Sequence, residues 1–174
     1  PMIIKTLDRL SELVPAEKSL IVTHVDQAPL TSKIADKHCL RIIEEPEARN
    51  TATALCLAAL EIAAADPQGV MISFHADHEI ADQGQFIEDC RKAVRLAQAG
   101  NLVLLGIEPT RPETGYGYIE KSTEFNDLPV MKVESFREKP SSDLAKEFVD
   151  SGNFLWNSGI FIWKVETIIE EFER

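Results

Sequence analysis

Residues Asn50 to Glu79, NTATALCLAALEIAAADPQGVMISFHADHE, decide the fold. Asn50 or Thr51 stands where a helix N-cap belongs, and Asp66-Pro67 stops the pattern with Gly69 just beyond. The run Ala52 to Ala65 is broken only by Thr53 and Glu61 and is rich in alanine, so it reads as a buried helix. It is too short for a bilayer, which takes about 20 apolar residues. Gly69 to Phe74 (GVMISF) follows as an apolar strand, the kind found in a parallel sheet covered on both faces.

The same alternation extends both ways. Downstream, Asp82 to Gln98 repeats Phe86, Ile87, Cys90 and Val94 on a helical period and closes at Gly100; NLVLLGI (Asn101 to Ile107) is a further strand. Upstream, SLIVTH (Ser19 to His24) and LRIIEE (Leu40 to Glu45) are short β-rich runs. Ile4, Leu7, Leu10 and Leu13 make a helical stripe over Ile3 to Leu13, which Pro15 stops. Strand and helix in alternation predict a doubly wound α/β sheet. After Ile107 the pattern turns antiparallel, with strands in GYGYIE and LPVMKVESFREKP. SSDLAKEFVDSG reads as a capped helix, FLWNSGIFIW as two short strands around an Asn157-Ser158-Gly159 turn, and ETIIEEFER as a helix.

The 174 residues suit one domain with a real core. A net charge of −11 argues against a nucleic-acid surface, and no run is long enough for a membrane span. Cys39, Cys56 and Cys90 lack metal-like spacing and read as reduced thiols in a cytoplasmic protein. No secretory leader is visible; the opening Pro1-Met2 suggests a natural start upstream, and the chain ends within a helical pattern that has no stop signal.

Polar clusters stand where strands end, the rim at which α/β sheets bind ligands. In FHADHE (Phe74 to Glu79), Asp77 suits a hard cation such as Mg²⁺, which takes few protein oxygens and leaves the rest to substrate phosphates. Zinc would need three or four ligands. A loop cap by Asp77 with solvated histidines is the plainer alternative. EEPEARNT (Glu44 to Thr51) opens a helix with polar side chains and free N–H groups, fit for a base or phosphate, or for ordinary capping. TGYGYIE (Thr114 to Glu120) offers either close backbone approach at glycine or a bulged strand. In REKP (Arg137 to Pro140), Pro140 would hold Lys139 extended. Glu138 can then accept from hydroxyls and Lys139 can meet a phosphate, or the set is a surface ion-pair ladder. Asn157 in WNSG is a donor and acceptor for hydroxyls, or part of a tight turn.

EEPEARNTATAL, FHADHEI, GIEPTRPETGYGYIE, VESFREKP and SGNFLWNSGIFIW occur in the order and approximate spacing of bacterial mannose-1-phosphate guanylyltransferases. The chain resembles that family from near Pro1 to Arg174. The resemblance implies a Rossmann-like nucleotidyltransferase fold with a mixed, mainly parallel sheet and helices on both faces. Residues 1–107 would form its nucleotide-binding half and 108–174 its sugar-binding half. The implied reaction transfers GMP from GTP to mannose 1-phosphate, giving GDP-mannose and pyrophosphate, with Mg²⁺. The implied roles place Glu45, Pro46, Asn50 and Thr51 at the nucleotide, with Asp77 as metal ligand and catalytic residue. Gly117, Glu138 and Asn157 would bind the sugar, and Lys139, also catalytic, would contact its phosphate. The partners implied are these small molecules, with no nucleic acid and no membrane, and a homo-oligomer stays open.

The chain also departs from that pattern. The family's glycine-rich strand-to-helix loop, G-G-x-G-x-R-L with a later P-K, is not in this sequence, nor is its second metal aspartate beyond WNSG. The expectation is an incomplete domain lacking its first strand, with a slot in the sheet and little or no turnover alone. A non-catalytic sugar-phosphate-binding module, or a transferase for another sugar 1-phosphate, are the alternatives.

Overall fold

The computed structural model describes residues 2–38, 40–47, 49–125 and 128–174, so Cys39 lies outside the described residues. The chain divides into two compact units, Pro1–Val103 with Phe161–Arg174, and Leu104–Ile160. No helix among the described residues is long and apolar enough to cross a membrane.

The first unit holds helix α1 (Met2–Leu10), strand β1 (Leu20–His24), α2 (Ala28–His38), β2 (Arg41–Glu45), α3 (Asn50–Ala65), β3 (Val70–Ile72) and α4 (Gln83–Gln98). Strands β1 and β2 pair in parallel, with Ile21 against Ile42. β3 pairs antiparallel with the last residues of β7 (Phe154–Lys164), Met71 facing Trp163, and α6 (Val165–Glu173) follows. Helix α3 is the centre of the core. Its Ala58 and Ala59 are buried with Met71, Trp163, Val165 and Ile168, while Leu20 and Val22 of β1 pack on the same cluster. Alanine lets strands and α6 approach the helix closely at this one face; only Ala58 and Ala59 are buried, and Ala52, Leu60 and Ala64 are exposed, so the expected buried helix is covered on one side only. Two ladders therefore line one helix: β1–β2, and the ladder containing β3. The Rossmann-like α/β class is present.

The second unit holds β5 (Gly117–Phe125), β6 (Leu128–Glu138), α5 (Ser142–Ser151), most of β7 and nearly all of β4 (Val103–Ile107). β5 lies between β6 and β7, antiparallel to both, as the change of pattern after Ile107 predicts. Helix α5 has the expected caps: Ser141 Oγ accepts from the Leu144 amide at 3.4 Å, and Gly152 closes it at φ 69°. It covers Tyr118, Phe154 and Trp156 with Ala145, Phe148 and Val149.

Several expectations are corrected. The NSG segment is no turn between two strands; β7 runs unbroken from Phe154 to Lys164. Positive φ at Gly159 (72°) kinks the strand, and the Asn157 and Ser158 side chains accept from the Gly159 and Ile160 amides at 3.0 and 3.1 Å. Buried Ser158 also donates to the Leu105 carbonyl at 2.6 Å. Ser158→Ala strands both groups and is expected to lower unfolding stability by about 1–3 kcal/mol, measured by urea denaturation. The strand in GVMISF ends at Ile72, not Phe74. The Ser73 amide still donates to the Phe161 carbonyl at 2.9 Å, while Ser73 Oγ accepts from the Phe161 amide at 3.1 Å. Neither Asn50 nor Thr51 is the N-cap of α3; Arg49 occupies that position and makes no side-chain cap. Helix α1 ends at Leu10 rather than Leu13, and α2 lies in a segment with no assigned pattern.

Candidate active site

In the second unit, antiparallel register brings the sugar-side residues together. Gly117 stands opposite Glu138, and Tyr118 opposite Trp156. The β5–β7 pairing ends at Tyr118 and Trp156; Gly117 and Asn157 are the next residues outwards on these two strands, so Glu138, Gly117 and Asn157 all lie near one end of the three strands. Residues directly opposite on neighbouring strands project from the same face. Gly117 itself carries no side chain, and the Phe136 ring and the Glu138 carboxylate occupy the space a side chain would take.

The absence of a side chain at Gly117 is enforced. A Cβ there would lie 2.7 Å from Phe136 Cζ and 2.8 Å from Glu138 Oε2, which shows that the Glu138 carboxylate leans over Gly117. Phe136, two residues before Glu138 on β6, is a part of this site that the sequence did not flag.

Lys139 is not extended. Its φ is 44°, in the left-handed region, although a residue before proline is normally pushed towards extended backbone. Its amide donates to the Tyr116 carbonyl at 3.1 Å, one residue beyond the Gly117–Glu138 pair of the same antiparallel register. The exposed ammonium lies 3.7 Å from Glu138 Oε1, so the strand end presents base and acid side by side next to Gly117. The loop before β5 is fixed as well. Tyr118 Oη accepts from the Glu113 amide at 2.9 Å, and Glu113 accepts from the Gly115 amide and from Arg111, both at 3.1 Å. These bonds hold the Glu113 carboxyl below its usual range, the Gly115 amide contributing most. Tyr116 meets Trp156 edge-to-face at 5.2 Å, with the Arg111 guanidinium 5.5 Å from the Trp156 ring.

In the first unit, Asp77 sits exposed at the turn Ala76–Asp77. It does not cap the following helix; Asp82 does, accepting from the Gln85 amide at 2.9 Å. The loop is gripped from α1 by residues that sequence patterning missed. Thr6 Oγ donates to the Ala76 carbonyl at 3.3 Å, and Arg9 Nη2 to the His78 carbonyl at 3.1 Å. The rings of His75 and His78 lie 5.2 Å apart, and burial together with the neighbouring His75 lowers the His78 pKa. Among the described residues no three His, Cys, Asp or Glu side chains form a metal-holding group.

Glu45, Pro46, Asn50 and Thr51 lie at the β2–α3 junction of the same unit. Glu45 is half-buried, and its Oε1 is buried without a hydrogen-bond partner among the described residues. Asn50 is exposed with φ 65°. Among the described residues, the non-glycine positions with positive φ are thus Asn50 and Lys139, both singled out by the sequence. Such strain costs of order 1–3 kcal/mol and concentrates at functional sites.

An α/β chain with polar clusters at its strand ends has the layout in which such folds hold ligands. The chain belongs to the nucleotidyl transferase family, whose model matches residues 1–174. It is 35% identical to a mannose-1-phosphate guanylyltransferase of Escherichia coli over 177 residues, covering 98% of this chain and 38% of the relative. It is 42% identical to the alginate biosynthesis protein AlgA of Pseudomonas aeruginosa over 135 residues, covering 76% of this chain and 28% of that protein. A solved structure described as mannose-1-phosphate geranyltransferase from Thermus thermophilus matches with TM-score 0.90 and 34% identity, covering 99% of this chain and 50% of that one. The chain therefore spans well under half the length of these curated relatives.

Proposed function

We propose that the chain forms part of a mannose-1-phosphate guanylyltransferase, which transfers GMP from GTP to mannose 1-phosphate and releases pyrophosphate. The observation that carries this reading is the pairing of Gly117 with Glu138, with Lys139 beside that carboxylate and Asn157 next to the Tyr118–Trp156 pair. An acceptor and an amide suit a hydroxyl-rich ring, and a lysine beside them suits the ring's phosphate. The names and identities of the relatives support mannose 1-phosphate as that ligand.

The sugar-phosphate oxygen attacks the α-phosphorus in line and pyrophosphate departs, so the residues of the chain act by orientation and charge rather than as nucleophiles. Glu138 and Asn157 hold sugar hydroxyls over Gly117, and Lys139 holds the phosphate that attacks. At the β2–α3 junction, the Glu45 carboxylate, one oxygen of which has no hydrogen-bond partner among the described residues, would meet the N–H donors of guanine in this reading, with Pro46, Asn50 and Thr51 beside it. Asp77 is the metal ligand of this reading. A single exposed carboxylate fits Mg²⁺, which keeps few protein oxygens, and does not fit a structural zinc site. When bound, Mg²⁺ would neutralise phosphate charge in the transfer. A cytoplasmic location accords with this substrate pair. No triphosphate-wrapping loop of the G-G-x-G-x-R-L form occurs in these 174 residues, so the chain on its own is expected to turn over little or nothing.

Incubating the full-length protein with Mg²⁺ and paired substrates tests the reading. GDP-mannose should form fastest from GTP and mannose 1-phosphate. Faster product from UTP and glucose 1-phosphate would contradict it.

A further inference from the structure

We infer that Thr6 and Arg9 are positioning residues for Asp77, and this inference rests on the reading of Asp77 as a metal ligand. Their hydrogen bonds engage the carbonyls on either side of it, Ala76 O at 3.3 Å and His78 O at 3.1 Å. Spaced three apart, the two donors share one face of α1. They are 5% and 6% exposed, while Asp77 between the gripped carbonyls is exposed. One rigid element thus holds the backbone of a turn whose carboxylate stays free for a ligand.

The choice of residue at position 9 points the same way. Burying a guanidinium is costly unless its charge and donors are met. Arg9 Nε is buried without a hydrogen-bond partner among the described residues, and the guanidinium lies 5.8 Å from the Phe86 ring. A helix that needed only packing there would carry another leucine, as it does at Leu7 and Leu10. An open cleft of about 430 Å³ bordered by Lys5, Arg9, His78 and Glu79 adjoins the loop, so packing does not hold it from that side. The two hydrogen bonds are therefore the loop's tether to α1. Fixing the turn in advance removes freedom that Asp77 would otherwise lose on binding the cation, as partners behind a metal ligand do generally.

The test is Mn²⁺ binding to the full-length protein in the presence of GTP, followed by electron paramagnetic resonance. Arg9→Met and Thr6→Val should each weaken Mn²⁺ binding by about tenfold or more. Thr6→Ser and Arg9→Lys, which keep a donor, should recover most of the loss. Amide exchange over residues 75–79 should accelerate in Arg9→Met while circular dichroism and the melting temperature report a folded chain. If Arg9→Met does not fold, the Thr6→Val and Thr6→Ser pair decides. Folded Arg9→Met and Thr6→Val proteins that bind Mn²⁺ like the unmodified protein, while Asp77→Asn does not bind, would overturn the positioning role alone. Unchanged binding in Asp77→Asn would overturn the metal reading and the positioning role with it.

Discussion

Gly117→Ala is expected to weaken mannose 1-phosphate binding by at least about tenfold and to destabilise the chain by about 1–3 kcal/mol, since inserted bulk in a filled space forces its neighbours aside. The added methyl would meet Phe136 Cζ at 2.7 Å and Glu138 Oε2 at 2.8 Å, so at least one of them must move. Both side chains are exposed and can swing outwards. The backbone therefore survives, but the carboxylate leaves the place from which it would meet a sugar hydroxyl. Calorimetry with mannose 1-phosphate and urea denaturation separate the two effects. Removing the Phe136 ring in addition (Gly117→Ala with Phe136→Ala) should relieve part of the destabilisation without restoring binding, because the clash with Glu138 remains. Restored binding in that double variant would show that Glu138 does not contact the sugar.

Asp77→Asn should lower kcat of the full-length protein roughly 10²–10³-fold at saturating GTP and mannose 1-phosphate, a loss of about 3–4 kcal/mol of transition-state stabilisation. The substitution keeps shape and removes charge. The exposed Asp77 side chain makes no hydrogen bond among those of the described residues, so stability should be nearly unchanged. A rate profile against Mg²⁺ concentration should shift to higher concentrations. A variant with unaltered kcat and unaltered Mg²⁺ dependence would exclude Asp77 as the ligand.

Much of this was legible in the sequence because local chemistry and global fold agree. Alanine-rich α3 punctuated by Asp66-Pro67, and α5 between Ser141 and Gly152, carry signals that act within a few residues. The sugar-side residues were legible only as separate motifs. Nothing in GYG, REKP or WNSG by itself says that Gly117 stands opposite Glu138, or that Asn157 lies one residue beyond the Tyr118–Trp156 pair; antiparallel register supplies that. Lys139 defeated the expectation of extended backbone: its φ is 44° although Pro140 follows, and nothing local in REKP signals that. The Thr6–Arg9 pair defeated it differently. Periodicity assigns burial to the apolar stripe, yet Thr6 and Arg9 are the buried residues of α1, and Leu7 and Leu10 are only partly so. Their partners lie about seventy residues away, at separations of 70 and 69 positions, where no local pattern reaches.

The central claim is the sugar-phosphate site of the second unit, and titrating mannose 1-phosphate into the 174-residue chain by calorimetry, with and without Mg²⁺, tests it most directly. Mannose 1-phosphate should bind, and Lys139→Ala and Asn157→Ala should each reduce that binding by about tenfold or more, as expected for loss of a charge-assisted or buried polar contact. A folded chain whose binding is the same in both variants, or that binds no mannose 1-phosphate, would contradict it.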